Sequence, residues 1–161
     1  MSLFFYSVGI SHWNCPLEIR EKFNIDKKKS IDFISDVKSI NGSAFIISTC
    51  NRTQVFANNI NIHLLKEKFI KYSGNHIKEF EKYGFILEDD NAIQNLFEVS
   101  TGIDSKILGD LQIFSQVKEA VDLAKENNCI NSLMDRLIQF VFQANKEVQS
   151  FTSISKGAAS V

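Results

Sequence analysis

The sequence has few glycines and lacks a phosphate-binding glycine motif. Its seven glycines lie at positions 9, 42, 74, 84, 102, 109 and 157 of the 161 residues, and no two of them have G-x-G spacing. The G-x-G-x-x-G fingerprint and the P-loop, which cradle phosphates with closely spaced glycines, are therefore absent. A nicotinamide cofactor would have to be bound by a domain outside this sequence.

Cysteine, histidine and arginine are also scarce. The three cysteines show no C-x-x-C spacing, which excludes a zinc ribbon or a disulfide framework and favours a reducing compartment. The three histidines, His12, His63 and His76, lie far apart and share no helix face. We therefore predict no metal site.

Long apolar runs and a strong charge of either sign are missing. No stretch approaches the roughly 20 apolar residues that span a bilayer, and no basic residue precedes Arg20 as a signal peptide would require. We expect a cytoplasmic protein without membrane contact. The net charge of −1 excludes a broad basic nucleic-acid surface. The lysine run 27–29 is the nearest candidate for a local contact, and a solvated helix start is the alternative interpretation.

The residues that are present are those of one globular domain with a substantial core. Hydrophobic residues make up 44% of the chain and charged residues 23%. The patterns predict strands over 3–10, 44–47, 53–57 and 83–87. They predict helices over 17–23, from Asp26 to Asn41, over 62–72 and from Asp89 onward. Apolar residues recur at helical spacing from Ile113 and again from Leu133, Leu137, Phe140 and Val141.

The first candidate site is Cys50, which follows the predicted strand 44–47. Its neighbours Thr49, Asn51 and Arg52 supply a hydroxyl, an amide and a guanidinium. A nearby cation favours the thiolate, which is the nucleophilic form of cysteine, and arginine can grip a carboxylate with two hydrogen bonds. The alternative is a buried cysteine at a strand end beside a surface arginine. We expect Cys15 and Cys129 to be inert.

The second candidate is the polar segment 101–112. Two glycines bracket it, Asp110 stands at a predicted helix start, and Gln112 and Gln116 are one turn apart on that helix. Two capped helix junctions are the alternative interpretation.

Four segments, in this order and spacing, resemble the N-terminal catalytic domain of the glutamyl-tRNA reductase family. They are Gly9-Ile10-Ser11-His12 with Pro16 and Arg20-Glu21; Ser48-Thr49-Cys50-Asn51-Arg52-Thr53; Gly102-Ile103-Asp104-Ser105 with Leu108-Gly109; and Gln112-Ile113 with Gln116-Val117-Lys118. The resemblance implies an α/β (α+β) fold, with a small, mostly antiparallel sheet packed with helices and a long C-terminal connecting helix. It implies a catalytic domain over 1–143 and, over 144–161, the start of a connecting helix toward an absent NADPH-binding domain.

The resemblance also implies an activity. Enzymes of this family use NADPH to reduce glutamyl-tRNA(Glu) to glutamate-1-semialdehyde, the first step of the C5 route to tetrapyrroles such as heme. Cys50 would be the nucleophile that holds glutamate as a thioester, and this chain alone would be unable to reduce it. The implied partners are glutamyl-tRNA(Glu), a downstream aminomutase, and a second copy of the full-length enzyme bound through a domain absent here.

The resemblance assigns further residues to the site. Around the glutamyl group it places Thr49, Asn51, Arg52, Ser105, Asp110, Leu111, Gln112 and Gln116. Asn95 stands where the family usually has a histidine, and an amide cannot exchange a proton at neutral pH. His12 is then the histidine to test as a substitute. Two alternatives remain open: a non-reducing aminoacyl-tRNA thioesterase or esterase, and a non-catalytic tRNA-binding relative.

Overall fold

Four antiparallel strands form the sheet of this protein, seen in a computed structural model that describes residues 4–104 and 111–151. The strands are β1 (Phe5–Ser11), β2 (Ser43–Ser48), β3 (Arg52–Asn58) and β4 (Phe85–Glu88), in the order β2-β3-β1-β4. The register pairs Ser11 with Arg52 and Ser48 with Thr53. Because of this register, the end of β1 meets the turn between β2 and β3.

Helices cover both faces of this sheet. In the described part of the chain they are α1 (Leu17–Arg20), followed by a 3₁₀ turn (Glu21–Phe23), then α2 (Lys27–Ser39), α3 (Ile62–Tyr72), α4 (Ile77–Tyr83), α5 (Asp89–Thr101), α6 (Leu111–Glu126) and α7 (Ser132–Phe151). Every residue of β1 and β3 is buried, as expected for central strands with two covered faces. Strand β1 packs against α3 and α5, and β2 packs against α2 and α6. The predicted fold class is confirmed.

Local sequence explains where several helices begin and end. The Asp26 carboxylate accepts a hydrogen bond from the Lys29 backbone N–H at 2.8 Å and so caps α2. The Asn61 side chain caps α3 in the same way, by accepting from the N–H groups of His63 and Leu64. Helix α5 ends at Thr101, and its C-cap residue Gly102 has a φ of 80°, a left-handed conformation that glycine adopts without a steric penalty. These are the cap residues from which helix ends can be predicted.

Phenylalanine side chains fill much of the core between the sheet and the helices. Phe33, Phe45, Phe56 and Phe69 are fully buried. The rings of Phe45 and Phe56, on paired positions of β2 and β3, stack with centroids 5.3 Å apart. Among the described residues, no helix is both long and apolar enough to span a membrane.

Two sequence-based predictions about the elements were wrong in detail. Residues 77–83 form α4, whereas the sequence predicted no element between the helix over 62–72 and a strand from Tyr83; β4 begins only at Phe85. Helix α4 is seven residues long and buries only Phe80, so it has too few apolar positions to produce a helical period.

The buried face of α7 agrees only in part with the predicted apolar pattern. Of the residues in the predicted apolar pattern, Leu133 and Phe140 are exposed and Val141 is buried, and Met134 and Ile138 from outside that pattern are buried as well. The helix carries two apolar stripes side by side, and periodicity alone cannot tell which one packs inward. The predicted domain boundary between 143 and 144 lies within α7, and it stays a prediction.

Candidate functional site

The turn between β2 and β3 presents Cys50 at its tip. The Thr49 backbone N–H donates to the Arg52 carbonyl at 2.8 Å and closes the turn. The Thr49 hydroxyl accepts from the backbone N–H groups of Asn51 at 3.1 Å and Arg52 at 3.3 Å. The Cys50 side chain takes no part in this network and is exposed. Thr49 therefore holds the turn, and the Cys50 thiol is accessible.

A second loop, 12–15, is fastened to the Cys50 turn. The His12 backbone N–H donates to the Asn51 carbonyl at 2.9 Å, which continues the pairing of β1 with β3 by one residue. The buried Arg20 side chain bridges the two loops, since its Nη1 donates to the Cys15 carbonyl at 2.5 Å and its Nε to the Cys50 carbonyl at 3.2 Å. Arg20 therefore ties the second loop to the backbone of Cys50.

The other two cysteines are buried. Cys15 is 3% exposed and Cys129 is 1% exposed. Burial raises the pKa of both thiols; Arg20 opposes this at Cys15, and a hydrogen bond with the Ala44 backbone opposes it at Cys129. Cys50 is thus the cysteine whose environment permits attack on an external group.

The start of α6 faces the Cys50 turn across a small cavity of about 60 Å³. The cavity is lined by Thr49, Cys50, Asn51, Arg52, Gln112, Ile113 and Gln116. The fold therefore brings together six of the residues that the sequence assigned to the site, although 60 positions separate the turn from the helix. Leu111 begins α6, but its side chain lies outside the described residues, as do Ser105 and Asp110.

Arg52 points into the protein rather than into solvent. It is 2% exposed, and its Nη1 forms an ion pair with Asp104 Oδ2 at 2.8 Å while its Nη2 donates to the Asp104 carbonyl at 2.9 Å. Arg52 Nη1 also donates to Gln54 Oε1 at 3.1 Å. The alternative of a buried Cys50 beside a surface arginine is therefore wrong on both residues. A substrate carboxylate would have to share the Arg52 guanidinium with Asp104, and that binding role stays a prediction.

Asn95 lies at the far end of the same hydrogen-bond network. Gln54 Nε2 donates to the side-chain oxygen of Asn95 and, at 2.7 Å, to the Ser7 hydroxyl. Asn95 therefore connects to Arg52 through Gln54 and is half-buried on α5. Gly9 makes this network possible, because a Cβ at position 9 would lie 2.5 Å from the Thr53 carbonyl oxygen and 2.8 Å from Gln54 Cα.

His12 and Trp13 lie side by side in the second loop. The His12 ring is half-buried, and its centroid is 4.7 Å from that of Trp13. The Trp13 indole N–H donates to Asp104 Oδ1 at 2.6 Å. One carboxylate, that of Asp104, thus contacts both Arg52 and Trp13.

Sequence reasoning missed Asp104, Gln54 and Trp13 as parts of the site. Asp104 had a signal, because it lies in the Gly102-Ile103-Asp104-Ser105 segment that carries the family resemblance and arginine pairs readily with carboxylates. Gln54 had none, since its position opposite Gly9 follows only from the strand register. Among the described residues no group of acidic, histidine and cysteine side chains is arranged to hold a metal ion.

Comparison with known proteins identifies the family of this chain. The sequence model of the family "Glutamyl-tRNAGlu reductase, N-terminal domain" matches residues 8–152. The chain belongs to this family. Glutamyl-tRNA reductase 2 of Flavobacterium johnsoniae is 35% identical over 158 residues, which cover 98% of this chain and 36% of that protein. The glutamyl-tRNA reductase of Flavobacterium psychrophilum is 36% identical over 158 residues, 98% of this chain and 38% of that protein.

Among solved structures, the glutamyl-tRNA reductase from Methanopyrus kandleri has the same fold. It superimposes with a TM-score of 0.79 at 22% identity, over 95% of this chain and 36% of that one. The resemblance to the glutamyl-tRNA reductase family is therefore confirmed. The chain spans little more than a third of the length of these relatives.

Proposed function

We propose that this chain is the catalytic part of a glutamyl-tRNA reductase and that Cys50 accepts the glutamyl group from glutamyl-tRNA(Glu), the first step of the C5 route to tetrapyrroles. The observation that carries the proposal is the exposed thiol on a turn fixed by Thr49 and Arg20, in a chain of this family. The neighbouring cavity, lined by amides and a hydroxyl, provides polar contacts for an amino acid.

The proposed reaction is an acyl transfer from oxygen to sulfur. The Cys50 thiol loses its proton, and the thiolate attacks the carbonyl carbon of the ester that joins glutamate to the terminal ribose of the tRNA. A bond forms between Sγ and that carbon, the ester C–O bond breaks, and the ribose oxygen leaves with the electron pair and takes up a proton. The products are free tRNA and a glutamyl thioester on Cys50.

Proton transfer in this reaction needs a group that can titrate near neutral pH. We propose His12 for this role, because its backbone is bonded to Asn51, next to Cys50. Asn95 cannot transfer a proton, and its bond with Gln54 makes it a positioning residue for the Arg52 network.

The reducing step needs NADPH, which the residues described here do not fit. The sheet is antiparallel throughout, so the chain lacks the parallel strand, glycine-rich turn and helix that bind a dinucleotide, within the parts of it that the structure describes. We therefore derive no step through NADPH. In this proposal NADPH, the dimer contact and any contact with an aminomutase belong to protein outside this sequence, and the enzyme works in the cytoplasm.

The experiment is to incubate the chain with glutamyl-tRNA(Glu) carrying labelled glutamate. We expect a burst of tRNA release with one labelled glutamate retained per chain on an adduct that hydroxylamine cleaves, and no reaction with glutaminyl-tRNA. Cys50→Ser should lower the burst rate at least about 100-fold, whereas the matched control Cys15→Ala should retain it. A Cys50→Ser chain that deacylates at the wild-type rate would contradict the proposal. Multiple rapid turnovers without a retained adduct would favour the thioesterase alternative instead.

A further inference from the structure

Trp13 is an exposed aromatic side chain that is nevertheless held in place. The side chain is 62% exposed, and its indole N–H donates to Asp104 Oδ1 at 2.6 Å. Asp104 is itself fixed by the ion pair with the buried Arg52. A hydrogen bond to a carboxylate is stronger than one between neutral groups, so the edge of the indole is anchored while most of its surface stays open. An anchored, open indole has already lost the rotamer freedom that binding would otherwise cost.

Trp13 also lies beside the Cys50 turn. The pairing of β1 with β3 continues from Ser11 opposite Arg52 to the hydrogen bond between His12 and Asn51, and Trp13 is the next residue. On its other side, the Cys15 carbonyl is tied through Arg20 to the Cys50 carbonyl. The loop that carries Trp13 is thus bonded at both ends to residues 50 and 51.

We propose that Trp13 stacks against the terminal base of the tRNA acceptor end while Cys50 attacks the ester. This inference rests on the proposed function. The ester and the terminal base are attached to the same ribose, so the base lies close to the Cys50 sulfur during attack. Stacking on an aromatic ring suits any base and needs no positive field, which agrees with a chain whose net charge is −1. Trp13 is then a binding residue for the proposed substrate.

Trp13 is the only tryptophan in the chain, so intrinsic fluorescence reports on this position alone. The probe is an RNA hairpin that ends in CCA and carries no amino acid, and the comparison probe is the same hairpin with an abasic terminal nucleotide. We expect the first to quench the fluorescence saturably. We expect the second to bind about tenfold more weakly when anisotropy of a fluorescein label on the hairpin is measured.

Variants test the same point from the protein side. Trp13→Ala should weaken binding of the CCA hairpin about tenfold, and Trp13→Phe should stay within about threefold of wild type. Both variants should bind the abasic hairpin with the same affinity as the wild-type chain. The matched control is Phe140→Ala, since Phe140 is 72% exposed on α7. It should bind both hairpins as wild type does, and circular dichroism verifies the fold of each variant.

Several outcomes would overturn the inference. These are equal affinity for the two hairpins, no binding of the CCA hairpin by wild type, and equal losses in Trp13→Ala and Phe140→Ala. Binding of these hairpins, which carry no amino acid, does not require the chemistry of Cys50, so the result is separate from the test of the proposed function. A chain that forms the glutamyl adduct but binds both hairpins equally retains the proposed function and contradicts this inference. A chain that distinguishes the hairpins but forms no adduct supports base stacking on Trp13 and contradicts the proposed function.

Discussion

Cys50 differs from Cys15 and Cys129 in the environment of its sulfur. The two buried thiols have raised pKa values, and Cys129 Sγ lies 3.5 Å from the Ile34 carbonyl in the core. Attack on a soluble electrophile requires both access and a thiolate, and burial removes both. Cys50, at the tip of its turn, has the access.

We therefore expect iodoacetamide near neutral pH to alkylate Cys50 at least about ten times faster than either of the other cysteines. The measurement is peptide mapping by mass spectrometry over a time course. Urea-unfolded chain is the control, because there the three thiols should react at similar rates. Equal rates in the folded chain would mean that the other thiols become accessible through local opening.

Arg52 shows what residue types can and cannot predict. The sequence places a cation two residues after Cys50, and the choice of arginine suggested a carboxylate partner. The carboxylate that the structure shows is Asp104, which is 52 residues away and part of the protein. Only the fold reveals that pairing, because sequence spacing contains no information about which distant loop returns to a strand end.

At the scale of elements, strands and capped helices were predicted well, and weak or ambiguous ones were not. Strands β1, β2 and β3 and the start of α2 have strong apolar runs or a side-chain cap, and they were predicted to within a few residues. Helix α4 has one buried residue, and the apolar stripe of α7 that packs inward depends on its neighbours. These features are determined by tertiary packing rather than by local pattern.

The contact of β1 with β3 at Gly9 gives a prediction about these two strands. Gly9→Ala would place a methyl group against the backbone of Thr53 and Gln54, and neither can move without breaking the sheet register. We expect the free energy of unfolding to fall by about 3 kcal/mol, at the upper end for overpacking. Urea unfolding followed by circular dichroism measures it.

Ile86→Val is the control for this prediction, because Ile86 lies on the edge strand β4 and is partly exposed. It should lower the free energy of unfolding by less than about 1 kcal/mol. A Gly9→Ala chain as stable as the control would show that β3 can shift away from β1. In that case the hydrogen bonds of Gln54 with Ser7 and Asn95 would not depend on a fixed register.

At the scale of the whole molecule, charge limits how the proposed tRNA substrate could be bound. With a net charge of −1, phosphate contacts must come from local clusters, and the lysine run 27–29 is the obvious one. The structure puts Lys27 on a groove of about 590 Å³ whose other walls include Glu119, Asp122 and Glu126 on α6. Three carboxylates on the same groove as Lys27 reduce the positive potential there, so the solvated helix start is the better interpretation.

This interpretation gives a prediction for the variant in which Lys27, Lys28 and Lys29 are all replaced by glutamine. We expect the affinity for the CCA hairpin to stay within about twofold of wild type. We also expect the dependence of log K on log salt to be unchanged between about 50 and about 200 mM KCl. Lysines in the first turn of α2 oppose the helix dipole, so the variant should be more stable by about 1 kcal/mol in urea unfolding. Loss of three phosphate contacts would instead reduce the salt slope by about 2 to 3. That result would make the start of α2 part of the tRNA-binding surface despite the carboxylates across the groove.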